Sequence, residues 1–457
     1  MKVLLVSPNI ETLPDPVFPI GLAFISAALK RHDIQHQVLD LCFAGDYEVA
    51  ISSAIASFRP DIVGISLRNI DNVSFPNYIS YLPFYRDVTK TIRKNSSAPI
   101  VLGGSGFSLM PGELLRYLGA DFGIVGEGEA SLINLIEALE EGGPSSRLVK
   151  KGRIIAQAGI VKDMDELPVP DRSGFDNRAY LKLGGMGSVQ TKRGCPFRCI
   201  YCTYPVIEGK TSRVRAPAIV CDEIENMMEN GTKSLFFVDN TFNYPVNHAE
   251  AVCREIIRRR LKVKWSCYAN PGFITPGLVE LFLQAGCTGV EFGSDAANET
   301  MLTNLAKNFH VDCLREASSI CRKAGMNFCH SILLGGPGES MATIHETLEA
   351  IRDMAPTAVI CMVGIRVFPK TRLSTMAFEE GSLDPSRDFL QPVFYLSPAV
   401  ENEILPFIEQ FSGENPTWIF PGLNININKQ LQEKLRRFGI KGPLWEYMKM
   451  GERLRRR

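Results

Sequence analysis

The sequence predicts an α/β protein with an N-terminal doubly wound parallel sheet, then a partial (β/α)6 TIM-type barrel, then a small mixed C-terminal segment. Two observations predict this fold class. Short apolar runs alternate with amphipathic helical segments over residues 1–140 and again over 185–375. Such runs are typical of parallel strands covered by helices on both faces. The predicted parts are residues 1–145, a linker over 146–184, the barrel over 185–375 and the C-terminal segment over 376–457.

The first sheet is predicted from five apolar runs. The predicted strands are Lys2–Ser7, Val38–Leu41, Ile62–Ser66, Ile100–Leu102 and Phe122–Val125, and the helices between them are Pro19–Arg31, Glu48–Phe58, Phe84–Lys94 and Gly112–Leu118. The last two strands run into glycine clusters, Gly103-Gly104-Ser105-Gly106 and Gly126-Glu127-Gly128-Glu129. Ligands of doubly wound sheets bind beyond the carboxyl ends of the strands, and glycine lets the backbone approach them closely. We interpret the two clusters together as ligand-binding turns, although ordinary strand-to-helix turns use glycine too.

The barrel is predicted from six strand–helix units. The predicted strands are Ser188–Lys192, Ser234–Val238, Lys264–Tyr268, Gly289–Phe292, Asn327–Leu333 and Ala358–Arg366, and the helices are Ile219–Asn230, Ala249–Arg260, Pro276–Ala285, Asp312–Ala324 and Ile344–Met354. The chemistry of such barrels lies at the carboxyl ends of the strands. Polar residues and glycines stand at several of those ends, which therefore mark the candidate site.

Three cysteines in the loop after the first barrel strand carry the strongest motif. Cys195, Cys199 and Cys202 are spaced Cys-x-x-x-Cys-x-x-Cys. A four-iron cluster normally takes four thiolates, so three would leave one iron open to a ligand. A structural zinc would need a fourth protein ligand. The next cysteine is Cys221, and no histidine lies within about forty residues, so we favour the cluster.

These motifs together resemble the cobalamin-binding radical S-adenosylmethionine (SAM) enzymes. The cysteine motif is the signature of radical SAM enzymes. Pro19-Ile20-Gly21-Leu22 and the two glycine clusters resemble the family's cobalamin-binding half, and Leu167-Pro168-Val169-Pro170-Asp171-Arg172 resembles its linker. The resemblance covers about residues 1–375 of 457. It implies a Rossmann-like cobalamin domain, a radical SAM barrel and a C-terminal segment that caps the barrel and shapes the substrate pocket.

The resemblance also implies which residues contact cobalamin. Gly103, Gly104 and Ser105 would frame the dimethylbenzimidazole tail and the corrin edge, with Gly126, Glu127 and Gly128 nearby. Ser66 and Leu67 would line the lower corrin face. We assign these residues to the corrin ring because their positions along the chain match those of the family pattern.

The chain departs from many relatives because it lacks an Asp-x-His-x-x-Gly motif, whose histidine binds cobalt from below. His32 and His36 flank a helix end and read as surface residues. Arg68 stands in the loop that approaches the lower face in this family. A guanidinium cannot ligate cobalt and stays charged. We therefore expect cobalamin without a histidine ligand from this domain, with Arg68 blocking the lower site, although a surface arginine would look the same in sequence.

The resemblance assigns SAM contacts on the barrel strands. Tyr201 resembles the aromatic residue whose backbone touches the adenine. Asp239 and Asn240 stand where the SAM amino group is met, and Glu291 and Ser294 match the polar pair near the ribose and carboxylate. Gly335, Gly336 and Pro337 would let the backbone close on SAM. Phe368-Pro369-Lys370-Thr371 departs from the family's Tyr-Pro-Gly-Thr turn, because Lys370 replaces the glycine.

Several other residues that could carry function are better interpreted as core residues. They are the remaining cysteines, His330 and the C-terminal aromatic residues. The remaining cysteines show no second cluster motif and lie mostly among apolar neighbours, as small core residues do. His330 is predicted to be a satisfied core histidine. Trp418, Tyr395 and Trp445 line a substrate pocket or pack in the core, and we favour the core.

The amino-acid composition limits which classes of binding partner and which cellular location are expected. Lys+Arg and Asp+Glu are both 50, so no net field attracts nucleic acid or acidic lipid. The chain has no signal-peptide pattern and no apolar run of membrane-spanning length. Twelve cysteines without a disulfide pattern indicate a reducing, cytoplasmic location. The expected partners are a small-molecule substrate and an external one-electron donor of the flavodoxin or ferredoxin type.

The function implied by the resemblance is methylation of an unactivated carbon in a natural product, lipid or other small molecule. In this family, the reduced cluster cleaves SAM to a 5′-deoxyadenosyl radical, and methylcobalamin supplies the methyl group. Non-methylating radical chemistry, with or without cobalamin, remains the alternative. Methylthio transfer fits less well because the N-terminal domain has only Cys42. A non-catalytic iron–sulfur protein is the remaining interpretation.

Overall fold

The first sheet has six strands in a computed structural model that describes residues 1–141, 154–157, 159–184, 186–384, 386–426 and 429–448. The strands are β1 (Lys2–Ser7), β2 (Gln35–Asp40), β3 (Ile62–Ser66), β4 (Ile100–Gly103), β5 (Phe122–Val125) and β6 (Ile154–Gln157). Their order is β2-β1-β3-β4-β5-β6, and all neighbours are parallel. The predicted doubly wound sheet is confirmed, with β6 added at one edge. The predicted boundary at residue 145 lies outside the described residues.

Helices cover both faces of this sheet. They are α1 (Ile20–Arg31), α2 (Tyr47–Phe58), α3 (Leu82–Asn95), α4 (Ser105–Leu109), α5 (Pro111–Leu118) and α6 (Gly128–Glu140), with a 3-10 turn at Leu41–Phe43. The two faces form separate apolar clusters, one around Leu4 and Val63 and the other around Val3 and Leu5. This alternation along β1 is what burial of a parallel strand on both faces requires.

The second sheet is a parallel barrel wall of seven strands. Its strands are β7 (Gly187–Val189), β10 (Ser234–Phe237), β11 (Lys264–Ala269), β12 (Cys287–Asp295), β13 (Asn327–Leu334), β14 (Ala358–Val363) and β17 (Trp418–Ile419), in the order β17-β14-β13-β12-β11-β10-β7. The short strands β8 (Lys192–Arg193) and β9 (Arg213–Val214) pair with each other, as do β15 (Ile365–Arg366) and β16 (Phe394–Tyr395). The six predicted barrel strands are all present. The seventh, β17, comes from the C-terminal segment and is too short to show a period in sequence.

The remaining helices surround the barrel and form the C-terminal segment. They are α7 (Asn177–Lys182), α8 (Tyr204–Ile207), α9 (Pro217–Glu229), α10 (Val246–Arg258), α11 (Pro276–Gln284), α12 (Glu299–Asn304), α13 (Val311–Lys323), α14 (Met341–Met354), α15 (Arg372–Glu379), α16 (Ile404–Glu414) and α17 (Lys429–Arg437), with 3-10 turns at Met164–Glu166, Pro271–Phe273, Pro421–Leu423 and Leu444–Tyr447. The predicted last barrel strand is split at Gly364, whose φ of 70° ends β14 and directs β15 to a different partner.

The C-terminal segment closes the barrel at the end where the strands begin. Trp445 is 6% exposed and packs against Cys329 and Ala358, the inner residues of β13 and β14. Trp418 and Tyr395 are also buried, at 3% and 5% exposure, within the large barrel core. All three aromatic residues are therefore core residues, as favoured from the sequence. No helix in the described part of the chain is long and apolar enough to cross a bilayer.

Candidate active site

The carboxyl ends of the two sheets face each other, and the candidate site lies between them. The short helices α4 and α8 are in contact across this boundary. Burial raises the pKa of Tyr204 in the barrel, and the positive charge of Arg68 from the first sheet opposes that rise. Tyr204 and Tyr268 are nevertheless 38% and 40% exposed. Both side chains therefore border an open space between the two sheets.

The cysteine loop begins at a glycine that no other residue could replace. Gly194 has a φ of 87°, and a Cβ there would collide with the carbonyl oxygen of Thr211. Its amide donates to Oε2 of Glu208 at 3.0 Å, and the amide of Cys195 donates to the carbonyl of Gly209 at 3.1 Å. These contacts fix the start of the loop against the segment that follows α8.

The three cysteines fit a cluster of several irons. Burial raises the pKa of all three thiols, to about 12 for Cys202, and the Lys307 ammonium opposes the rise. The charge of each of Cys195 and Cys199 acts on Cys202, so the three lie close together. Within the described residues, no group of three or more His, Cys, Asp or Glu side chains is arranged to hold a single metal ion. In a cubane each thiolate binds a different iron, so three thiolates on one loop can hold such a cluster.

A polar triad that the sequence reasoning missed stands beside the cysteine loop. The Tyr201 hydroxyl donates to Oδ2 of Asp295 at 2.5 Å, and Lys307 Nζ contacts the same oxygen at 2.5 Å. The side chains of Lys307 and Asp295 are 7% and 5% exposed. A register shift after Gly293 and a φ of 65° at Asp295 turn this carboxylate towards the loop. A bulge of this kind gives no signal in the alternation of the sequence.

Ser294, the predicted SAM contact, lies on the other side of β12. Its hydroxyl is 2.7 Å from Nδ1 of His330, whose Nε2 is 3.0 Å from the hydroxyl of Ser318 on α13. All three side chains are buried. Burial lowers the pKa of His330 to about 3, so it is a neutral, satisfied core histidine, as the sequence suggested. The SAM role of Ser294 remains a prediction, and Asp295 is the neighbour that faces Tyr201.

Glu291, the other member of the predicted polar pair, points into the barrel. Its neighbours Val290 and Phe292 pack in the apolar layer between barrel and helices, so the Glu291 side chain lies on the interior face. Oε1 accepts from the Ser331 hydroxyl at 2.6 Å, and burial raises the pKa of the carboxyl.

The side chains of the residues at the end of β10 are held by hydrogen bonds to the segment that leads to the cysteine loop. Oδ1 of Asp239 accepts from the amide of Thr191 at 2.8 Å, and Oδ2 accepts from its hydroxyl at 2.6 Å. Nδ2 of the Asn240 side chain donates to the carbonyl of Gly194 at 3.1 Å, and its Oδ1 accepts from Nζ of buried Lys192 at 3.1 Å. Both side chains therefore position the strand that leads to Cys195, and direct contact with SAM remains a prediction.

The glycine turn after β13 is held by a glutamate. The amides of Gly335 and Gly336 donate to Oε2 of Glu339 at 2.8 and 3.2 Å, and the carbonyl of Pro337 accepts from Asn304 at 2.9 Å. Burial raises the pKa of Glu339 to about 7, and the two amides oppose this. The turn is thus preformed, and its proposed contact with SAM remains a prediction.

Arg68 stands at the topological switch point of the first sheet, between β1 and β3, where ligands of doubly wound sheets bind. Its side chain is exposed, and no residue in the described ranges forms an ion pair or hydrogen bond with its guanidinium. Leu67 beside it is fully buried, and Ser66 is half-buried at the end of β3.

The first glycine cluster supports the Arg68 loop. Gly104 has a φ of 96°, and a Cβ there would lie 2.6 Å from the carbonyl oxygen of Leu67. The Ser105 hydroxyl donates to the carbonyl of Arg68 at 2.8 Å, and the amide of Leu67 donates to Gly103 at 2.8 Å. The close approach that the glycines permit is therefore to this loop. The predicted contacts with cobalamin remain predictions.

The second glycine cluster joins the two sheets. Glu127 pairs with Arg213 at 2.5 Å and Glu129 with Arg193 at 2.6 Å, all four side chains being 10% exposed or less. The amide of Gly126 donates to Ser108 at 2.9 Å, and Gly128 begins α6. Arg193 comes two residues before Cys195, so this buried network links the first sheet directly to the cysteine loop.

Comparison with known proteins agrees with this arrangement. Residues 6–136 match the B12 binding domain, and residues 189–351 match the Radical SAM superfamily. The chain is a cobalamin-binding radical SAM enzyme. Both the predicted family and the predicted fold class are thereby confirmed.

Relatives of this enzyme include a methyltransferase and a cyclase. Tryptophan 2-C-methyltransferase of Streptomyces laurentii is 26% identical over 448 residues, covering 83% of this chain and 74% of that protein. Anaerobic magnesium-protoporphyrin IX monomethyl ester cyclase of Rubrivivax gelatinosus is 24% identical, covering 78% and 66%.

Structures of the radical SAM methyltransferase TsrM from Kitasatospora setae superpose on the whole enzyme. One, with cobalamin and a [4Fe-4S] cluster bound, has a TM-score of 0.88 at 24% identity. The other, with tryptophan and a SAM analogue bound, has a TM-score of 0.87 at 26% identity. Each covers 100% of this chain and 98% of TsrM.

Proposed function

We propose that this enzyme is a cobalamin-dependent C-methyltransferase that acts on an unactivated carbon of a small molecule. The observation that carries the proposal is the position of Arg68. Its guanidinium, which has no partner among the residues that the structure describes, stands at the switch point of the B12-type sheet and faces the mouth of the barrel that bears Cys195, Cys199 and Cys202. The similarity to a tryptophan C-methyltransferase over 83% of the chain supports methyl transfer.

Three cofactor sites fit the residues present. The three cysteines would hold a [4Fe-4S] cluster, the switch point of the first sheet would hold cobalamin, and SAM would lie between them. When bound, the cluster and SAM supply one-electron chemistry, and cobalamin carries the methyl group. An external one-electron donor of the flavodoxin or ferredoxin type would reduce the cluster.

The charged residues around the proposed SAM position are complementary to the charged groups of SAM. Lys307 offers an ammonium suited to the carboxylate of SAM, and Asp295 holds that ammonium in place at 2.5 Å. Tyr201 donates to the same Asp295 and is thereby fixed between the cysteines. The Gly335–Pro337 turn, already anchored by Glu339, gives a rigid wall. These groups orient SAM without moving.

Arg68 has a different task, which is to keep ligands away. Its guanidinium is charged and cannot coordinate a metal, so it excludes water and imidazole from the position that it occupies. The chain has six histidines, and none is in the loops that follow β1, β3, β4 or β5. Cobalamin would therefore bind without a histidine ligand from the first sheet.

Isotope transfer tests the proposal. The protein is purified without oxygen, reconstituted with cobalamin, reduced and incubated with SAM that carries a deuterated methyl group. We expect bound cobalamin to acquire the label, as measured by mass spectrometry, and about four irons per chain. Cys199→Ala should lose iron, whereas Cys313→Ala, at a half-buried cysteine outside the motif, should keep it. Retained cobalamin without label would instead favour the cyclase-type alternative.

A further inference from the structure

The interior face of β12 runs from the end of the barrel that Trp445 fills, here called the barrel floor, up to the cysteine loop. Its residues differ in how much space lies in front of them. At Gly289 a Cβ would lie 2.8 Å from Trp445, so the barrel is filled there. At Gly293, two positions above Glu291, a Cβ would meet nothing within 4 Å. Asp295 faces the cysteine loop, roughly 13 Å along the strand from Glu291. Along the interior face of β12, Glu291 is thus the last polar side chain above Gly289, and it lies beneath the open position at Gly293.

The Glu291 carboxylate lacks a compensating charge. Its one hydrogen bond is from the Ser331 hydroxyl at 2.6 Å, and no Lys, Arg or His in the described ranges pairs with it. An unpaired carboxylate in an enclosed, low-dielectric space is costly, and a cationic ligand removes that cost.

The walls around Glu291 suit an apolar body with one polar end. Tyr268 is its in-register neighbour on β11 and is 40% exposed, and no hydrogen bond to its hydroxyl is found in the described residues. The ring of Phe236 packs edge-on against Tyr268 at 5.0 Å. Met362, on β14, is half-buried on the interior face. One carboxylate and one phenol amid apolar walls is the usual composition of a small-molecule site.

We propose that Glu291, with Ser331 and Tyr268, is the substrate-anchoring site of the barrel and binds the protonated amine of an apolar, amine-bearing substrate. This inference rests on the proposed methyltransferase function, because it places the substrate below SAM in the barrel. SAM itself carries an ammonium group, so it is the rival occupant. Roughly 13 Å of strand separates Glu291 from Asp295, which faces the cysteine loop, and this depth in the barrel favours the substrate.

The affinities of matched amine and carboxylate probes show whether Glu291 binds a substrate amine or SAM. The probes are phenethylamine and tryptamine, with 3-phenylpropionate and indole-3-propionate as their carboxylate counterparts, titrated into the SAM-loaded holoenzyme without oxygen. At least one amine should bind tenfold or more tightly than its carboxylate. Glu291→Gln should weaken that amine tenfold or more and leave SAM binding unchanged. Glu280→Gln, an exposed glutamate on α11, should change neither.

Three results would overturn the inference: amines binding no better than carboxylates, an unchanged amine affinity in E291Q, or a loss of SAM affinity in E291Q, which would assign the carboxylate to SAM. Cobalamin and iron content are measured on the same samples. Absent cobalamin with normal amine binding would contradict the methyltransferase proposal alone, so the two failures are distinguishable.

Discussion

At the scale of single residues, Gly104 determines where Arg68 stands. Its φ of 96° and its approach to Leu67 leave no room for a side chain. The sequence showed that a glycine was needed here, but not which group approached it, because Leu67 is 37 residues earlier along the chain. Asp295 and Lys307 were missed for a similar reason, since only the bulge in β12 brings them to Tyr201.

Gly104→Ala should therefore destabilise the first sheet. Strain at positive φ together with the steric clash predicts a loss of about 2–5 kcal/mol in unfolding free energy. Gly119→Ala is the matched control, because Gly119 also has a positive φ, 65°, but nothing lies within 4 Å of its Cβ position. It should lose about 1 kcal/mol. Denaturant unfolding measures both, and equal losses would contradict the proposed clash.

Arg68→Ala should open the lower side of bound cobalamin to small ligands. In the wild-type protein, added imidazole should leave the absorption spectrum of cobalamin unchanged, because the guanidinium excludes it. In R68A, imidazole should bind and shift the spectrum. Arg68→Lys should give an intermediate response. Imidazole binding to the wild-type protein would show that Arg68 does not occupy this position.

At the scale of elements, the segment from β3 to α3 is clamped to the barrel. Asp71 and Arg366 form a buried ion pair at 2.9 Å, with side chains 1% and 4% exposed. Arg366 also donates to the carbonyl of Val367 at 2.6 Å. The amide side chain of Asn77 donates to the carbonyl of Gly422 at 2.9 Å. The loop that carries Arg68 is therefore fixed from the barrel side as well.

Arg366→Met should release this clamp. Removing one member of a buried pair leaves an uncompensated charge and costs about 3–5 kcal/mol. Arg372→Ala is the control, since Arg372 pairs with Glu379 at 3.6 Å on the surface, where loss costs about 0–1 kcal/mol. R366M should also broaden the cobalt(II) resonance of bound cobalamin. An unchanged resonance would show that the clamp does not position Arg68.

The 3-10 turn at Leu444–Tyr447 should make stability depend on pH. Burial raises the pKa of Glu446 to about 7, against a hydrogen bond of 2.9 Å from Thr288. Between pH 4.5 and 7, Glu446 is therefore protonated in the folded state but mostly ionised in the unfolded state. Stability should fall as pH rises through that window, by up to about 3 kcal/mol from this group.

Glu446→Gln should flatten that dependence between pH 5 and 8, as followed by denaturant unfolding. Glu299→Gln is the control, because hydrogen bonds from the Val311 amide and His310 lower the pKa of Glu299. Above about pH 5.5 that carboxyl is ionised in both states, so its loss should leave the slope from there to pH 8 unchanged. An equal slope in E446Q and the wild-type protein would contradict a protonated Glu446.

At the scale of the whole molecule, the two sheets are joined by buried charges. Besides the two Glu–Arg pairs beside the cysteine loop, the ring of Phe24 on α1 lies 4.9 Å from the guanidinium of Arg193 and 5.7 Å from that of Arg215. The succession of strands and helices along the chain, the family and the cysteine motif were all readable from sequence, because each depends on local motifs or on periodicity. The joining network was not, since Glu129 and Arg193 are 64 residues apart.

The most direct test of the central claim is electron paramagnetic resonance of cobalt(II) on protein purified without oxygen from cells supplied with cobalamin. We predict a cobalt(II) signal stoichiometric with protein and without nitrogen splitting, because Arg68 stands where a histidine would otherwise bind. Nitrogen splitting would contradict the role of Arg68. A protein with an intact cluster and no cobalamin would contradict the methyltransferase itself.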